Sequence, residues 1–189
     1  MRKYFLFCMF LVPSCLAEWT LDSDNSYLSF VSIKNGVVAE VHRFDALSGV
    51  VNQDGSAVVK VGLASVETNI PIRNDRLKSM LFDVENFSLA TVSAQLKVDE
   101  FDGLPNGTSL LRSIPIGINL HGMDGTMSAS VKVTRTKENL WHVISVQPLI
   151  LNAGNYNLLE GIESLRAIAG LNEITSVIPI TFSLEFSTN

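Results

Sequence analysis

The segment at residues 91–98 has the sequence TVSAQLKV, in which polar and apolar side chains alternate at every position. The segment at residues 127–134, MSASVKVT, repeats this pattern, and apolar residues fall on one face of residues 178–186. Successive side chains of an extended chain point to opposite faces of a sheet. Each segment is therefore predicted to be an antiparallel strand with one apolar and one solvated face.

Less regular alternation predicts further strands, and short Gly-containing pairs predict the turns between them. These strands are expected at residues 27–34, 37–44, 57–63, 110–120 and 141–151. Asp54-Gly55, Asn106-Gly107 and Asp124-Gly125 supply turn residues, and the last pair is predicted to join two strands as a hairpin. The total is about eight strands in a meander, forming a single domain over residues 18–189.

Two segments interrupt the strand pattern and predict short helices. The first covers residues 74–83, with Asn74 as its N-cap. The second opens on Asn157 and Glu160, which have capping-box spacing, and Gly170 stands where a C-cap glycine is expected. Its predicted apolar stripe consists of Leu158, Ile162, Leu165 and Ala169. The second helix is expected to cover the core, although a lid or a membrane-facing role is an alternative.

Eight antiparallel strands with two helices favour an all-β protein built as a closed barrel, because closure removes exposed strand edges. The interior of an eight-stranded barrel is either just filled by side chains or holds one small ligand. The residues expected to face inward are mostly small: Val59, Val61, Val92, Ala94, Ala129, Val131 and Val133. Small linings favour an open, apolar lumen. A collapsed sandwich without a lumen is an equal alternative on the pattern alone.

The N-terminus has the features of a secretory signal peptide. Arg2 and Lys3 precede an apolar run at residues 4–12, which is shorter than the roughly 20 residues that a membrane span needs. Cleavage after residue 17 is predicted, since residues 15–17 resemble a signal-peptidase site. The alternative is a lipobox ending at Cys15, which would anchor the chain through a lipid. Both readings predict export.

Composition and motifs exclude several functions. Both cysteines, Cys8 and Cys15, lie in the leader, so the mature chain has no disulfide and no thiolate nucleophile. The chain has no Lys/Arg cluster of the kind that binds nucleic acid, and its formal net charge is −5. Nucleic-acid binding is therefore not expected. No catalytic motif is present. The three histidines His42, His121 and His142 lie on different predicted strands without paired spacing, so no metal site is predicted.

One segment, ASVETNIPIRNDRLKSMLFDVENF at residues 64–87, resembles the central signature of the YceI-like proteins. The similarity lies in a Ser-Val-x-Thr strand end, an Arg-Asp-x-His-Leu-like segment and an aromatic turn. The matching positions are residues 65–68, 73–77 and 82–84, with Phe44, Ser48-Gly49 and residues 118–122 outside the segment. The order and spacing fit from Trp19 to Phe186. Asn74 replaces the usual Asp, Arg76 the usual His, and His42 occupies a usual Gly position.

The resemblance implies an extended, lipocalin-like antiparallel barrel that holds a long isoprenoid or other lipid chain in an apolar lumen, in the periplasm. It implies no catalysis, metal or cofactor. Polar residues at the mouth would orient a head group, with Asn69, Arg73 and Asn74 as candidates. The predicted lipid-binding residues are Phe30, Phe44, Val61, Leu63, Asn69, Arg73, Asn74, Leu77, Leu81, Phe82, Val92, Ala94, Leu96, Ile118, Leu120, Met127, Ala129, Val131 and Phe182.

Three functions are weighed on this basis. The first is a non-enzymatic periplasmic carrier of a long-chain lipid such as an isoprenoid or isoprenoid quinone. The second is a structural or inhibitory interaction protein with a filled barrel. The third is a lipid-modifying enzyme that uses Asp75 or His121, for which strongly perturbed pKa values inside the lumen would be required. The expected partner is a lipid, without nucleic acid, metal or transmembrane segment, and a homodimer is one alternative for the assembly.

Overall fold

The computed structural model of the chain describes residues 18–188. The expected signal peptide and the alternative anchor Cys15 lie outside these residues. The described part forms one eleven-stranded antiparallel sheet. Its strands are β1 (Trp19–Lys34), β2 (Val38–Phe44), β3 (Leu47–Val51), β4 (Ser56–Gly62), β5 (Val66–Glu67), β6 (Leu89–Gln95), β7 (Ser109–Leu120), β8 (Met123–Lys137), β9 (Leu140–Ser145), β10 (Leu149–Asn152) and β11 (Val177–Ser187).

Eight of these strands close into a barrel, which confirms the predicted fold class. The ring runs β1-β3-β4-β6-β7-β8-β9-β11 and is closed by antiparallel pairing of β11 with β1. β1 is long enough to pair with β3 through Trp19 and Thr20 and with β2 farther along. β11 likewise pairs with β9 near its C-terminus and with β10 near its N-terminus. These double pairings extend the barrel at one end.

Strand β1 changes the face that it presents to the interior part-way along its length. Its pairing register with β11 shifts between Asp22 and Tyr27. Before the shift Trp19 and Leu21 face the core, and after it Leu28 and Phe30 do so. Extra residues in one strand of a pair produce such a change, because they displace the alternation relative to the partner. The irregularity keeps apolar side chains inside along the whole strand.

The helical segments lie at the two ends of the barrel. They are α1 (Pro71–Arg76), α2 (Asp99–Asp102) and α3 (Leu159–Ile168), with one π-helical turn at Leu77–Leu81 and 3-10 turns at Leu63–Ser65 and Ala153–Tyr156. The π-helical turn continues α1 directly, and α3 packs against that turn. Among residues 18–188, no helix combines the length and the apolar character needed to cross a membrane.

Both predicted helix starts are wrong. Helix α1 begins at Pro71, because proline is favoured in the first turn, and Asn74 lies inside it. Asn74 Oδ1 instead accepts hydrogen bonds from the Thr68 backbone N–H and hydroxyl, at 2.9 and 2.5 Å. Asn157 has a left-handed backbone and ends the preceding 3-10 turn, so it does not cap α3. Gly170 does follow α3 with φ +63°.

Several strand predictions need correction: β1 begins at Trp19 rather than at residue 27, β6 ends at Gln95 rather than at residue 98, and β5 was not predicted. Asp124-Gly125 lies inside β8, and the hairpin turn is at His121-Gly122, whose φ values of 51° and 74° suit a two-residue loop. Strand β3 was not predicted, because Gly49 interrupts its alternation. A Cβ there would lie 2.9 Å from the Val58 carbonyl oxygen, so the close strand approach requires glycine. Residues 141–151 form two strands, β9 and β10, rather than one.

Candidate functional site

The barrel interior contains a cavity of about 560 Å³. This volume lies within the range of pockets that hold small-molecule ligands. All eight strands of the ring contribute side chains to its wall, together with β2, β10 and the segments around α1 and α3. The barrel is therefore open rather than filled by its own side chains, which resolves the alternative that the sequence pattern left undecided.

The cavity is elongated along the barrel. On β11, every second residue from Ile178 to Phe186 lines it, as the predicted alternation requires. These two residues are eight positions apart, so the lined part of the strand is about 26 Å long. A long, narrow lumen suits an extended chain better than a globular ligand.

Aromatic rings close the end of the cavity that lies opposite α1 and α3. Trp19 and Trp141 meet edge to face, with ring centroids 5.5 Å apart and planes at 78°. Phe101, after β6, meets Trp141 in a similar way at 6.4 Å and 83°. The guanidinium of Arg135 lies 5.4 Å from the centre of the Trp141 ring. Edge-to-face and cation–π contacts are favourable for aromatic rings, so these contacts stabilise a closed floor at this end.

The mouth of the cavity lies between α1 and α3. Ile70, Ile72 and Ile168 line the cavity and are also substantially exposed, at 44%, 58% and 50%. Apolar side chains that face both the lumen and solvent mark an opening. Gly161 allows α3 to pack closely against the π-helical turn that follows α1. A Cβ there would lie 2.6 Å from the Met80 carbonyl oxygen.

A polar cluster, formed by Ser32, Lys34, Glu40, His42 and Arg73, stands at the mouth. Glu40 on β2 forms an ion pair with Lys34 on β1 and accepts a hydrogen bond from Arg73 Nη1 at 2.7 Å. Arg73 Nη2 also donates to the Thr68 carbonyl oxygen at 2.7 Å, which fixes α1 against β5. Ser32 Oγ and His42 Nε2 lie 2.9 Å apart.

The electrostatics of this cluster keep His42 neutral. Its side chain is only 5% exposed, and burial together with the nearby Arg73 guanidinium lowers its pKa from 6.5 to about 4. Glu40 has the opposite environment, because the hydrogen bond from Lys34 and the positive charge of Arg73 lower the pKa of its carboxyl. At neutral pH the cluster therefore contains one carboxylate, two cations and an uncharged imidazole.

Most of the residues predicted to bind lipid lie on the cavity wall. The structure places there Phe30, Phe44, Val61, Leu63, Arg73, Leu77, Leu81, Phe82, Val92, Ala94, Leu96, Ile118, Leu120, Ala129, Val131 and Phe182. That position makes them available to a ligand, and their contact with one stays a prediction.

Three predicted residues lie off the wall. Asn69 is exposed, with φ +60°. Asn74 is buried, but its side-chain oxygen is occupied by Thr68. Met127 faces the core near the start of β8, where Tyr156 packs against Gly125, and it does not reach the cavity.

The sequence reasoning missed much of the mouth. Ser32, Lys34, His42 and Arg76 all line the cavity. The sequence contains a signal for three of these four residues. Ser32 and Lys34 follow Phe30 at even spacing, and His42 precedes Phe44 by two residues, so strand alternation turns all three inward. Arg76 completes α1 and has no comparable strand signal.

The candidate catalytic residues Asp75 and His121 lie outside the cavity wall, and so does His142, whereas His42, the third histidine considered for a metal, lines it. Asp75 is exposed on α1, 3.7 Å from Lys78. His121 lies in the β7–β8 turn against Phe87, with ring centroids 4.3 Å apart. His142 lies 2.6 Å from Ser183 Oγ, and within residues 18–188 no group of three metal-ligating side chains is gathered.

Comparison with known proteins agrees with the fold. The model of the YceI-like domain family matches residues 19–186. The chain belongs to the YceI-like family. A solved polyisoprenoid-binding domain from Saccharophagus degradans, implicated in plant cell wall breakdown, is 36% identical to this YceI-like chain. It superposes with a TM-score of 0.89 over 92% of this chain and 99% of its own.

A second solved structure, BcnA from Burkholderia cenocepacia, is 19% identical to the YceI-like chain. It superposes with a TM-score of 0.68 over 87% of this chain and 98% of its own, which supports the shared fold. Comparison with curated proteins finds no significant match.

Proposed function

We propose that this YceI-like protein is a non-catalytic carrier that holds one long lipid chain, of isoprenoid or isoprenoid-quinone type, in its barrel lumen. The observation that supports this most directly is the shape and lining of the cavity. It is long, its wall is apolar from the aromatic floor upward, and its charged side chains are confined to the mouth. The polyisoprenoid-binding domain that is 36% identical supports an isoprenoid chain as the ligand.

The free energy of binding would come mainly from the apolar chain. Burial is favourable by about 0.8 kcal/mol for each CH₂ group, so a long chain needs few polar contacts to bind tightly. A branched isoprenoid chain would pack against the bulky wall residues Phe30, Phe44 and Phe182. The positions of Asp75 and His121 outside the wall favour binding over catalysis.

Export to the periplasm is part of the proposal. It rests on the leader at residues 1–17, whose short apolar run is followed by a small-residue cleavage site. Fractionation of cells that express the full chain, followed by mass spectrometry of the mature N-terminus, tests it. A mature chain starting at residue 18 is expected. A diacylated N-terminal Cys15 would instead support the anchored form, and an uncleaved cytoplasmic chain would contradict export.

The lipid itself is tested by extraction. Protein purified from its natural host is extracted with organic solvent, and the extract is analysed by mass spectrometry. The delipidated protein is then titrated with prenyl alcohols and isoprenoid quinones of increasing chain length. We expect a co-purified single-chain lipid and affinity that rises with chain length until the lumen is full. A protein that is free of lipid and takes up no chain would contradict the proposal.

A further inference from the structure

Every ionisable side chain that lines the cavity is basic. Within the described residues, the wall includes Lys34, His42, Arg73 and Arg76, and no carboxyl or phenol group. This contrasts with the chain as a whole, whose formal net charge is −5. The four side chains come from β1, β2 and α1, so the fold gathers at one place basic groups that are dispersed in the sequence.

The nearby carboxylate does not satisfy all of these groups. Glu40 binds Lys34 and Arg73 Nη1, and Arg73 Nη2 donates to the Thr68 carbonyl oxygen. The Arg73 Nε–H group is buried and has no hydrogen-bond partner. Among residues 18–188, no carboxylate forms an ion pair with Arg76. Hydrogen-bond donors therefore remain at the mouth without acceptors.

His42 adds a third unsatisfied polar group. It is 5% exposed and lines the cavity, and its Nδ1 atom is buried without a partner. Its Nε2 atom lies 2.9 Å from Ser32 Oγ. When the Ser32 hydroxyl donates to Nε2, the ring proton resides on Nδ1, which becomes a donor. Buried polar groups normally have partners, so an acceptor atom of a ligand at the mouth would satisfy this otherwise unpartnered donor.

We propose that the mouth is a binding site for an anionic head group, so that the preferred ligand is a single-chain amphiphile ending in a carboxylate or a phosphate. The inference rests on the proposed function, because the hydrocarbon chain of the same lipid is taken to occupy the lumen while its head group lies at the mouth. A carboxylate or phosphate offers several acceptor oxygens to the Arg73, Arg76 and His42 donors. Lys34 adds positive charge beside them. A cationic head group would meet Lys34, Arg73 and Arg76, and the nearby Glu40 carboxylate is already paired with Lys34 and Arg73.

The test uses delipidated protein and four probes that share one saturated chain: hexadecanoate, hexadecyl phosphate, hexadecanol and hexadecylamine. Each displaces a neutral fluorescent probe from the lumen, at concentrations below micelle formation. We expect at least one anion to bind about tenfold more tightly than the alcohol, the gain of one charge-assisted hydrogen bond. The amine should bind less tightly than the alcohol. The preference for the anion should shrink as salt is added.

The two anions distinguish the source of the head group. Preference for hexadecanoate alone indicates a fatty-acid-like ligand, and preference for hexadecyl phosphate indicates a prenyl- or alkyl-phosphate ligand. Either result supports the anion site. Equal affinities of both anions and the alcohol would overturn it while leaving the lipid carrier intact. Failure of all four probes to bind would overturn both.

Arg76→Gln tests the residue assignment. This change should remove most of the preference for the anion over hexadecanol, and Arg76→Lys should restore part of that preference. The matched control is Arg112→Gln, because Arg112 on β7 is exposed, does not line the cavity and donates from Nε to Glu100 Oε2 at 2.7 Å. It should bind every probe as the unaltered protein does. An Arg76→Gln protein that retains the full anion preference would contradict the site.

Discussion

Arg73 on α1 donates a hydrogen bond from Nη1 to Glu40 Oε2 on β2 at 2.7 Å, although the two residues are 33 positions apart in sequence. This bond joins the helical segment at the mouth to the extended part of the barrel wall. The same carboxylate binds Lys34, and the same guanidinium holds the Thr68 carbonyl oxygen. The mouth is thus a structured polar rim above an apolar lumen, and its parts should respond together to mutation and pH.

Acid should destabilise the protein through His42. Its folded-state pKa, about 4, lies below its usual 6.5, so the unfolded chain binds more protons between these values. The free energy of unfolding should therefore fall as the pH drops from about 6.5 to about 4, by on the order of 3 kcal/mol. Urea unfolding at a series of pH values measures the slope.

In the His42→Gln variant this slope should be largely absent, because the amide has no proton to gain in that range. Glu40 does not mask the effect, since the lowered pKa of its carboxyl places its contribution at lower pH. His142→Gln, which removes a histidine outside the polar cluster, is the control and should keep the original slope. An unaltered slope in the His42 variant would show that His42 is not held neutral by its surroundings.

Asn74→Ala should destabilise the fold by about 1–3 kcal/mol, because it leaves the buried Thr68 N–H group without its acceptor. Thermal or urea unfolding measures the change. Asn74→Asp keeps an accepting oxygen but loses the amide that bonds to Glu67, so an intermediate stability is expected. Equal stability of the alanine variant and the unaltered protein would contradict the role assigned to this side chain.

Gly161→Ala should be destabilising, which reverses the usual effect of this substitution in a helix. Alanine normally gains about 1 kcal/mol over glycine in a helix interior. Here the new Cβ would lie 2.6 Å from the Met80 carbonyl oxygen and 2.8 Å from Leu81 Cα, so α3 must move away from the π-helical turn. Urea unfolding measures the sign of the change in the free energy of unfolding. The rate of lipid release should also increase, because α3 borders the mouth of the cavity. Ser164→Ala, on the exposed side of α3, is the control, and a stabilised Gly161→Ala protein would contradict the close packing.

The strands and the lumen were largely predictable, because strict alternation fixes which side chains share a face. Residues 91–98, 127–134 and 178–186 each send the expected side chains to the cavity wall, with the exception of Met127. Strand β3 was missed because tight strand contact, rather than alternation, determines Gly49. The irregularity in β1 was missed for a related reason, since its register depends on pairing with β11, far away in sequence.

The polar rim was only partly predictable. Arg73 was proposed as a mouth residue, and the structure places it on the cavity wall. Asn69 and Asn74 were proposed with it, yet local backbone geometry directs one to solvent and the other to Thr68. The ion pairs of Glu40 join β1, β2 and α1, and no sequence period relates those elements. Contacts of this kind depend on how the closed barrel brings its ends together.

The central claim is that the ligand chain lies inside the barrel, and a pair of adjacent substitutions on β8 tests it most directly. Val131 faces the lumen and Lys132 faces solvent. Val131→Trp places a large ring inside the cavity, whereas Lys132→Trp adds the same ring to the outer surface. The measurement is the stoichiometry of prenyl chain bound to each delipidated protein, determined by native mass spectrometry after both are shown to be folded. We expect Val131→Trp to bind little or no chain and Lys132→Trp to bind one. Full occupancy in a folded Val131→Trp protein would contradict binding in the lumen.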